Sequence, residues 1–374
     1  MHPMAIDRRA FLAGAGGLLA SGLAAQGAPA ETRAADEPLF AAARRSPDGA
    51  FSAAIFRPDG TDVNAVALPA RGHDVTVCPV TRTCVAFARR PGNFAVAFRR
   101  DKGWKPIRFT TPPDRHFYGH GVFSRDGRIL FATENDFEAG RGCIGLYDAT
   151  AGFRRIGEME SHGVGPHDIA LMKDGRTLVI ANGGIETHPA IGGGRTQLNR
   201  ATMSPSLAYV DTITGDLVER HELPEGLRQL SLRHLDVGAG GMVVIGGQFK
   251  GDVTAGTPLI LRHRLGGLPK TVELAADLSP RLRGYISSVA VDASGEIAAL
   301  TGSRGGIVLF IDVATGRVLG ERSLVDVSGV APSVGGFLLT TGKGEIASGA
   351  SPSQGATMTS STHWQWDNHA VLVS

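Results

Sequence analysis

Apolar and polar positions alternate along most of this chain in runs of four to eight residues, closed by Asp-Gly, Thr-Gly or Ser-rich turns. That period is the one of half-buried β-strands. The stretch 165–189 shows the grammar. Ile169 and Leu171 alternate with smaller residues, Lys173-Asp-Gly-Arg176 forms a tight turn, and Thr177–Ala181 answers as a second strand. Asp174 bonds its own backbone in such a turn and Gly175 tolerates positive φ. A loop rich in Asn, Gly, Glu, Thr and His follows, more than a hairpin requires.

The same unit recurs. His73, His120 and His167 each open a first strand, at intervals of 47 residues (73 to 120 and 120 to 167), and His234 opens another after a longer gap filled by an insertion at 183–205. This is the period of propeller blades. Further units start near Ile286 and Val327. Strands A to D run from the inside of each blade outwards. The chain ends on a strand A, Asp367-Asn-His369-Ala-Val-Leu-Val, with nothing after it, while 38–44, 51–56 and 62–68 read as B, C and D with no A before them. Together they close one blade, which removes exposed sheet edges. The expectation is an all-β, seven-bladed β-propeller over residues 31–374, its closing blade formed from N-terminal strands and the C-terminal strand.

Residues 1–30 read as an address rather than as part of the fold. Arg8-Arg9 is followed by an apolar stretch from Phe11 to Ala25 and an A-x-A type site at Ala28-Pro-Ala30, a twin-arginine signal peptide. The apolar stretch is shorter than the roughly 20 residues of a membrane helix. The expected location is the periplasm, with no membrane attachment after cleavage.

Composition adds little chemistry. The 51 glycines fit many turns, and a formal net charge of +2 gives no reason to invoke nucleic acid. Lysines are sparse and arginines scattered, a pattern of composition rather than of a binding face. There is no C-x-x-C, G-x-S-x-G or Walker A loop. Cys78 and Cys84 flank the turn 79–83, and an oxidising compartment would keep a bridge between them, leaving Cys143 free.

Propeller geometry sorts the loops by face. A-to-B and C-to-D connections are plain hairpins, such as Ser124-Arg-Asp-Gly127. D-to-A and B-to-C connections are chemically rich: Arg115–Gly121, Thr133–Asp136, Asn182–His188 and Gln248–Asp252. The rich face is the working face. His73, His120, His167, His234 and His369 share one phase at the mouth of strand A, and imidazole suits Fe, Cu, Zn or Ni. A histidine here in WD40 repeats only ties the strand to its neighbours. That structural role is assigned to His73. His120, His167 and His369 fit either role, as does His234, flanked by Arg233 and Asp236. Because opposite strand mouths can stand far apart, three ligands from neighbouring units and the long loop (His120, His167, His188) are favoured over a full ring. Glu134 or Glu186 would ligate or orient an imidazole. Glu134, Asn135 and Asp136 would bind a hard cation or a sugar, or cap their turn. Arg233, Asn182 and Gln248 complete the candidates. Trp364 and Trp366 pack the closing blade.

Together the segments Arg115–Gly121, Thr133–Asp136, Gly163–Ile169, Ala181–Pro189, Leu198-Asn199, Met203–Leu207, Leu230–Leu235 and Trp366–His369 resemble a family of twin-arginine-exported bacterial β-propellers known as domain of unknown function 1513. Two departures stand out: Ser328 occupies a position where many members carry cysteine, and the 189–195 loop is longer. Members are often encoded beside imelysin-type iron-uptake proteins, so the resemblance implies periplasmic iron handling by association and such proteins as partners. The expected function is a periplasmic binding or accessory protein for a metal (Fe, Cu or Zn), a haem or a partner. The alternative is a metal- or cofactor-dependent oxidoreductase. The lack of an evident acid–base pair or redox cysteine motif favours the first, and leans against an enzyme.

Overall fold

The computed structural model describes residues 37–374; the expected twin-arginine signal and cleavage site lie outside them. Seven antiparallel sheets, each with the A-B-C-D order expected, form a ring. Blade 1 takes Phe40–Arg45, Phe51–Phe56 and Asp62–Leu68 from the N-terminal side and its inner edge from the C-terminal side. The inner strands of the other blades are Gly72–Val77, Arg115–Phe123, Pro166–Leu171, Leu230–Val237, Ser288–Val291 and Val327–Ser333, for blades 2 to 7. Among the described residues no helix is long and apolar enough to cross a membrane.

Burial follows strand position. Strand B is covered on both faces by neighbouring blades, and Cys84–Ala88 and Thr177–Asn182 are buried throughout; such strands read as continuous apolar runs. Outer strands such as Leu217–Glu222 expose alternate residues. The core is thus a set of layers between blades rather than one central mass. Phe87, Phe109, Phe117 and Tyr147 fill the layer between blades 2 and 3, and Phe310, Phe337 and Leu339 that between blades 6 and 7. Truncating one of these aromatics to alanine should cost about 3–5 kcal/mol.

The closing strand is not continuous as its sequence suggests. Gln365–Trp366 pairs with Arg45 and Arg44, Val371–Leu372 pairs with Ala41 and Phe40, and residues 367–370 lie between the two paired segments. That break turns His369 to the axis. Trp366 packs on Phe56 at 4.5 Å, and the buried Arg44 guanidinium lies 3.7 Å from the Trp364 ring centroid while gripping both Asp62 oxygens at 2.6 Å. The two tryptophans therefore secure the closure.

The Cys78–Cys84 bridge is not formed; all three cysteines are free thiols. Cys84 is the ladder partner of Val77, so Cys78, one residue further on, belongs to the opposite pleat. Cys84 packs with Ala41 and Ile55 towards blade 1, Cys78 with Phe87 and Phe109 towards blade 3. Burial pushes the Cys84 and Cys143 thiols up to about 12.

Candidate metal centre on the propeller axis

The five strand-A histidines all meet. His73, His120, His167, His234 and His369 are each at least nine-tenths buried, and every pair among them for which ring contact is seen has centroids 4.6–6.5 Å apart. Two triads share His120: His73/His120/His369 and His120/His167/His234, whose ligand nitrogens lie within 4.8 Å of one another. Two nitrogens on one zinc-sized ion are at most about 4.2 Å apart, twice the metal–nitrogen distance. Close approach is built into the backbone: a Cβ on Gly119, at φ +112, would lie 2.5 Å from His73 Cδ2. His73, assigned only a structural role by sequence, is a full member of the cluster.

Acidic and hydroxyl groups hold the rings from outside. His120 Nδ1 lies 3.2 Å from Asp74 and 3.3 Å from Asp168, His73 Nδ1 3.5 Å from Asp367, and His369 Nδ1 3.0 Å from the Ser288 hydroxyl. Such outer partners orient imidazole ligands. His167 differs, because Arg233 Nη1 donates to its Nδ1 at 3.1 Å. Asp168 and Asp236 also accept from the Leu235 and Val291 amides, stitching each inner strand to the next. Several ring nitrogens, including His120 Nε2, His369 Nε2 and both of His234, have no protein partner. Buried polar atoms left so are uncommon, and each costs about 1–3 kcal/mol.

Protonation is divided within the cluster. Burial, then His369 and His120, hold His73 well below its ordinary value; burial likewise depresses His167 and His234, and lowers His369 to about 4. Burial opposes protonation of His120 too, but Asp168 and Asp74 outweigh it and raise that imidazole to about 10. At neutral pH the cluster is one imidazolium between two carboxylates, beside four neutral rings.

The remaining candidates fall elsewhere. His188 contacts Glu138 at 3.4 Å and packs edge-on to Phe137, outside the cluster, so the expected His120–His167–His188 triad is replaced by the axial one. Glu134 is enclosed by Tyr147 and Arg155, and Asn135 Nδ2 lies 3.0 Å from His116 Nε2 and donates to Thr187 O. Asn182 donates to Ser161 O, and Glu186 faces solvent. Asn135 and Asn182 thus tie loops in place, and Glu134 joins strands of its own blade. A second grouping, Glu219, His221 and His263, is also off axis; His263 already contacts the Tyr209 hydroxyl and Gly267 O.

Above the histidines, on the face carrying the rich loops, a cavity of about 340 Å³ opens. His73 and His167 form part of its floor, and Gln248 and Arg233, two of the candidate residues, line it. Its walls were missed by sequence reasoning. Arg71, Arg89, Arg90, Arg195, Arg233, Lys250 and Arg304 all line it. Apart from Arg71 and Arg233, they lie in B-to-C connections of four different blades. The arginines are therefore gathered by the fold, correcting the reading of scattered composition. A cation in one B-to-C turn after another was the available signal. On the opposite side of the cluster the channel is lined by Asp74, Asp168 and Asp236.

The match to a family model covers residues 66–373, nearly the whole ring. The chain belongs to the family described as protein of unknown function DUF1513. No curated protein matches this DUF1513 chain. Solved structures resemble it in fold. Kuenenia stuttgartiensis hydrazine synthase aligns with a TM-score of 0.53 at 15% identity, covering 72% of this chain and 75% of that one. A chain of the mitotic checkpoint complex gives 0.56 at 13%, covering 76% and 77%. The β-propeller domain of Myceliophteria thermophila Cps50 (Swd1) gives 0.50 at 11%, covering 75% and 85%. At these identities the likeness is one of fold alone.

Proposed function

We propose that this DUF1513 propeller is an exported accessory protein that holds one transition-metal ion on its axis, through His120 and His369 with His73 completing the set. The observation carrying this reading is the convergence of five buried imidazoles with ring nitrogens that no protein group uses. Four are neutral at physiological pH, the state in which imidazole ligates a metal. Asp74 and Asp168, which stabilise the His120 imidazolium, would stabilise a cation in the proton's place. Imidazole ligands suit Fe, Cu, Zn or Ni. Direct ring-to-ring contact leaves no slot between the histidines for a porphyrin, so a bare ion is favoured over haem.

Binding and holding are favoured over redox catalysis because the thiols are buried away from the axis and bear no relation to the cluster. Export by the twin-arginine route would let the metal be inserted before translocation. Periplasmic iron-uptake proteins of the imelysin type are the partners this reading suggests. The test is metal titration of chelator-treated protein, compared with His120→Ala and His369→Ala variants whose folding is checked by circular dichroism. Saturable binding by the parent and its loss in both folded variants is expected; equal binding by all three would overturn the assignment.

A further inference from the structure

Uncompensated positive charge in the cavity above the histidines calls for a ligand of its own. Among the described residues, no carboxylate lies within ion-pairing distance of Arg90, Arg195, Arg233, Lys250 or Arg304. The carboxylate near the rim, Asp367, is taken up by Arg71 at 2.5 Å, with Arg89 at 3.7 Å and His73 at 3.5 Å. Arg233 is only 7% exposed and its Nε has no partner. Burial, and then Arg90, lower its value to about 10. Like charges gathered this closely repel one another, and a buried charge without a counter-ion is strongly unfavourable. The long insertion adds to the concentration rather than relieving it. It folds over blade 2, where a Cβ on Gly194 would lie 2.5 Å from the Pro91 ring, and so brings Arg195 to the cavity.

We infer that this cationic bowl binds a compact small molecule carrying two or more oxyanion groups. Guanidinium forks match carboxylate and phosphate oxygens in pairs, and a cavity of about 340 Å³ sits at the small end of ligand sites. Several cations facing one space select multiple charge over a single carboxylate. Gln248, Asn368 and Tyr285 add neutral polar contacts at the wall. The inference goes beyond metal binding and does not depend on it, since these cations attract an oxyanion whether or not the histidines hold an ion. If both are right, the anion lies directly over the metal and offsets its charge.

Lys250 supplies a reporter. Its Nζ donates to Gln248 Oε1 at 2.6 Å. Burial, then Arg233, Arg90, Arg304 and Arg200, push it down to about 6, so it is neutral in the ligand-free protein at pH 7.5. An arriving anion favours the charged form, and binding should draw a proton from solvent.

Calorimetry on chelator-treated, metal-free mature protein tests this, with citrate, pyrophosphate and acetate as probes in buffers of differing ionisation enthalpy. Binding of citrate or pyrophosphate at one per chain, with proton uptake and much weaker acetate binding, is expected; the tighter of the two identifies carboxylate or phosphate as the natural chemistry. Arg195→Gln and Arg304→Gln, both at exposed positions where folding is not at risk, should each weaken binding about tenfold. Absence of binding by both polyanions, acetate binding as tightly as they do, or unchanged affinity in both variants would overturn the inference. A failure here with metal binding intact leaves the metal reading standing.

Discussion

Five blades and two blades use the axial end of the inner strand in opposite ways. In blades 1 to 5 it carries His369, His73, His120, His167 and His234; in blades 6 and 7 it carries serines, Ser287 and Ser288 in one and Ser328 in the other. Ser287 is fully engaged: its hydroxyl contacts Thr301 O at 3.1 Å and Thr301 Oγ1 at 3.0 Å, and accepts from the Ser303 amide. Ser328 donates to Asp367 O, and its own carbonyl accepts from Thr301. The serine arc therefore behaves as the structural role predicts, tying inner strands to their neighbours. The histidine arc does not, because its ring nitrogens face one another with capacity unused. The strand end that closes the ring through serines in two blades offers imidazoles in five.

The largest break in this comparison should come from the histidine arc. Replacing His120 and His369 together by alanine is expected to lower metal affinity by at least about 100-fold, while His188→Ala leaves it unchanged, read by titration against a competing chelator. A large loss in His188→Ala would restore the loop histidine to the site. Stability against pH sharpens the contrast next. Burial holds His369 at about 4 and depresses His73, His167 and His234. Between about pH 6.5 and 4 the unfolded chain thus binds more protons, and metal-free protein loses stability as pH falls through that window. His120 has the opposite sign. Its folded value of about 10 gives stability that is complete below about 6.5 and is lost as pH rises towards 10. Lys250, held at about 6 in the folded protein, gains stability over the same range and offsets His120 there. The melting temperature of metal-free protein should therefore rise from about pH 4 to 6.5 and change little above it, and no rise over the lower window would contradict the depressed imidazoles.

What was legible in the sequence follows from the same contrast. The 47-residue interval, the Asp-Gly turns and the unmatched strands at the two ends fix the number of blades and how the ring closes. A histidine at the start of five inner strands was visible too, although His73 and His167 sit one residue earlier in the strand than His120 and His234. Their separation was not, because it is set by the radius at which seven sheets close, a property no single blade encodes. For that reason His73 was set aside and His188 was brought in. The arginines were invisible for a related reason, since Arg90, Arg195, Lys250 and Arg304 stand far apart in the chain and meet only through blade order. The cysteine error was avoidable. Cys84 opposes Val77 rather than Cys78, and a one-residue offset changes the face.

On the serine arc, Ser287→Ala removes hydrogen bonds without touching the ligand positions. It should cost about 1 kcal/mol of stability by denaturant unfolding and leave metal affinity as it was; a change in affinity would make the two arcs functionally alike. The smallest expected effect is that of reductant. Denatured, unreduced protein should present three reactive thiols, and reducing agent should leave the melting temperature unchanged; a single reactive thiol would mean that blade 2 is cross-linked.

The most direct measurement is elemental analysis of protein purified from its native cells, combined with proton release on reloading the stripped protein at pH 7. The account predicts about one equivalent of a single transition metal per chain and release of the His120 proton, with loss of both in the His120→Ala variant. Native protein that carries no metal and stripped protein that takes none up would contradict it, and would make the histidine arc, like the serine arc, a set of ties between blades.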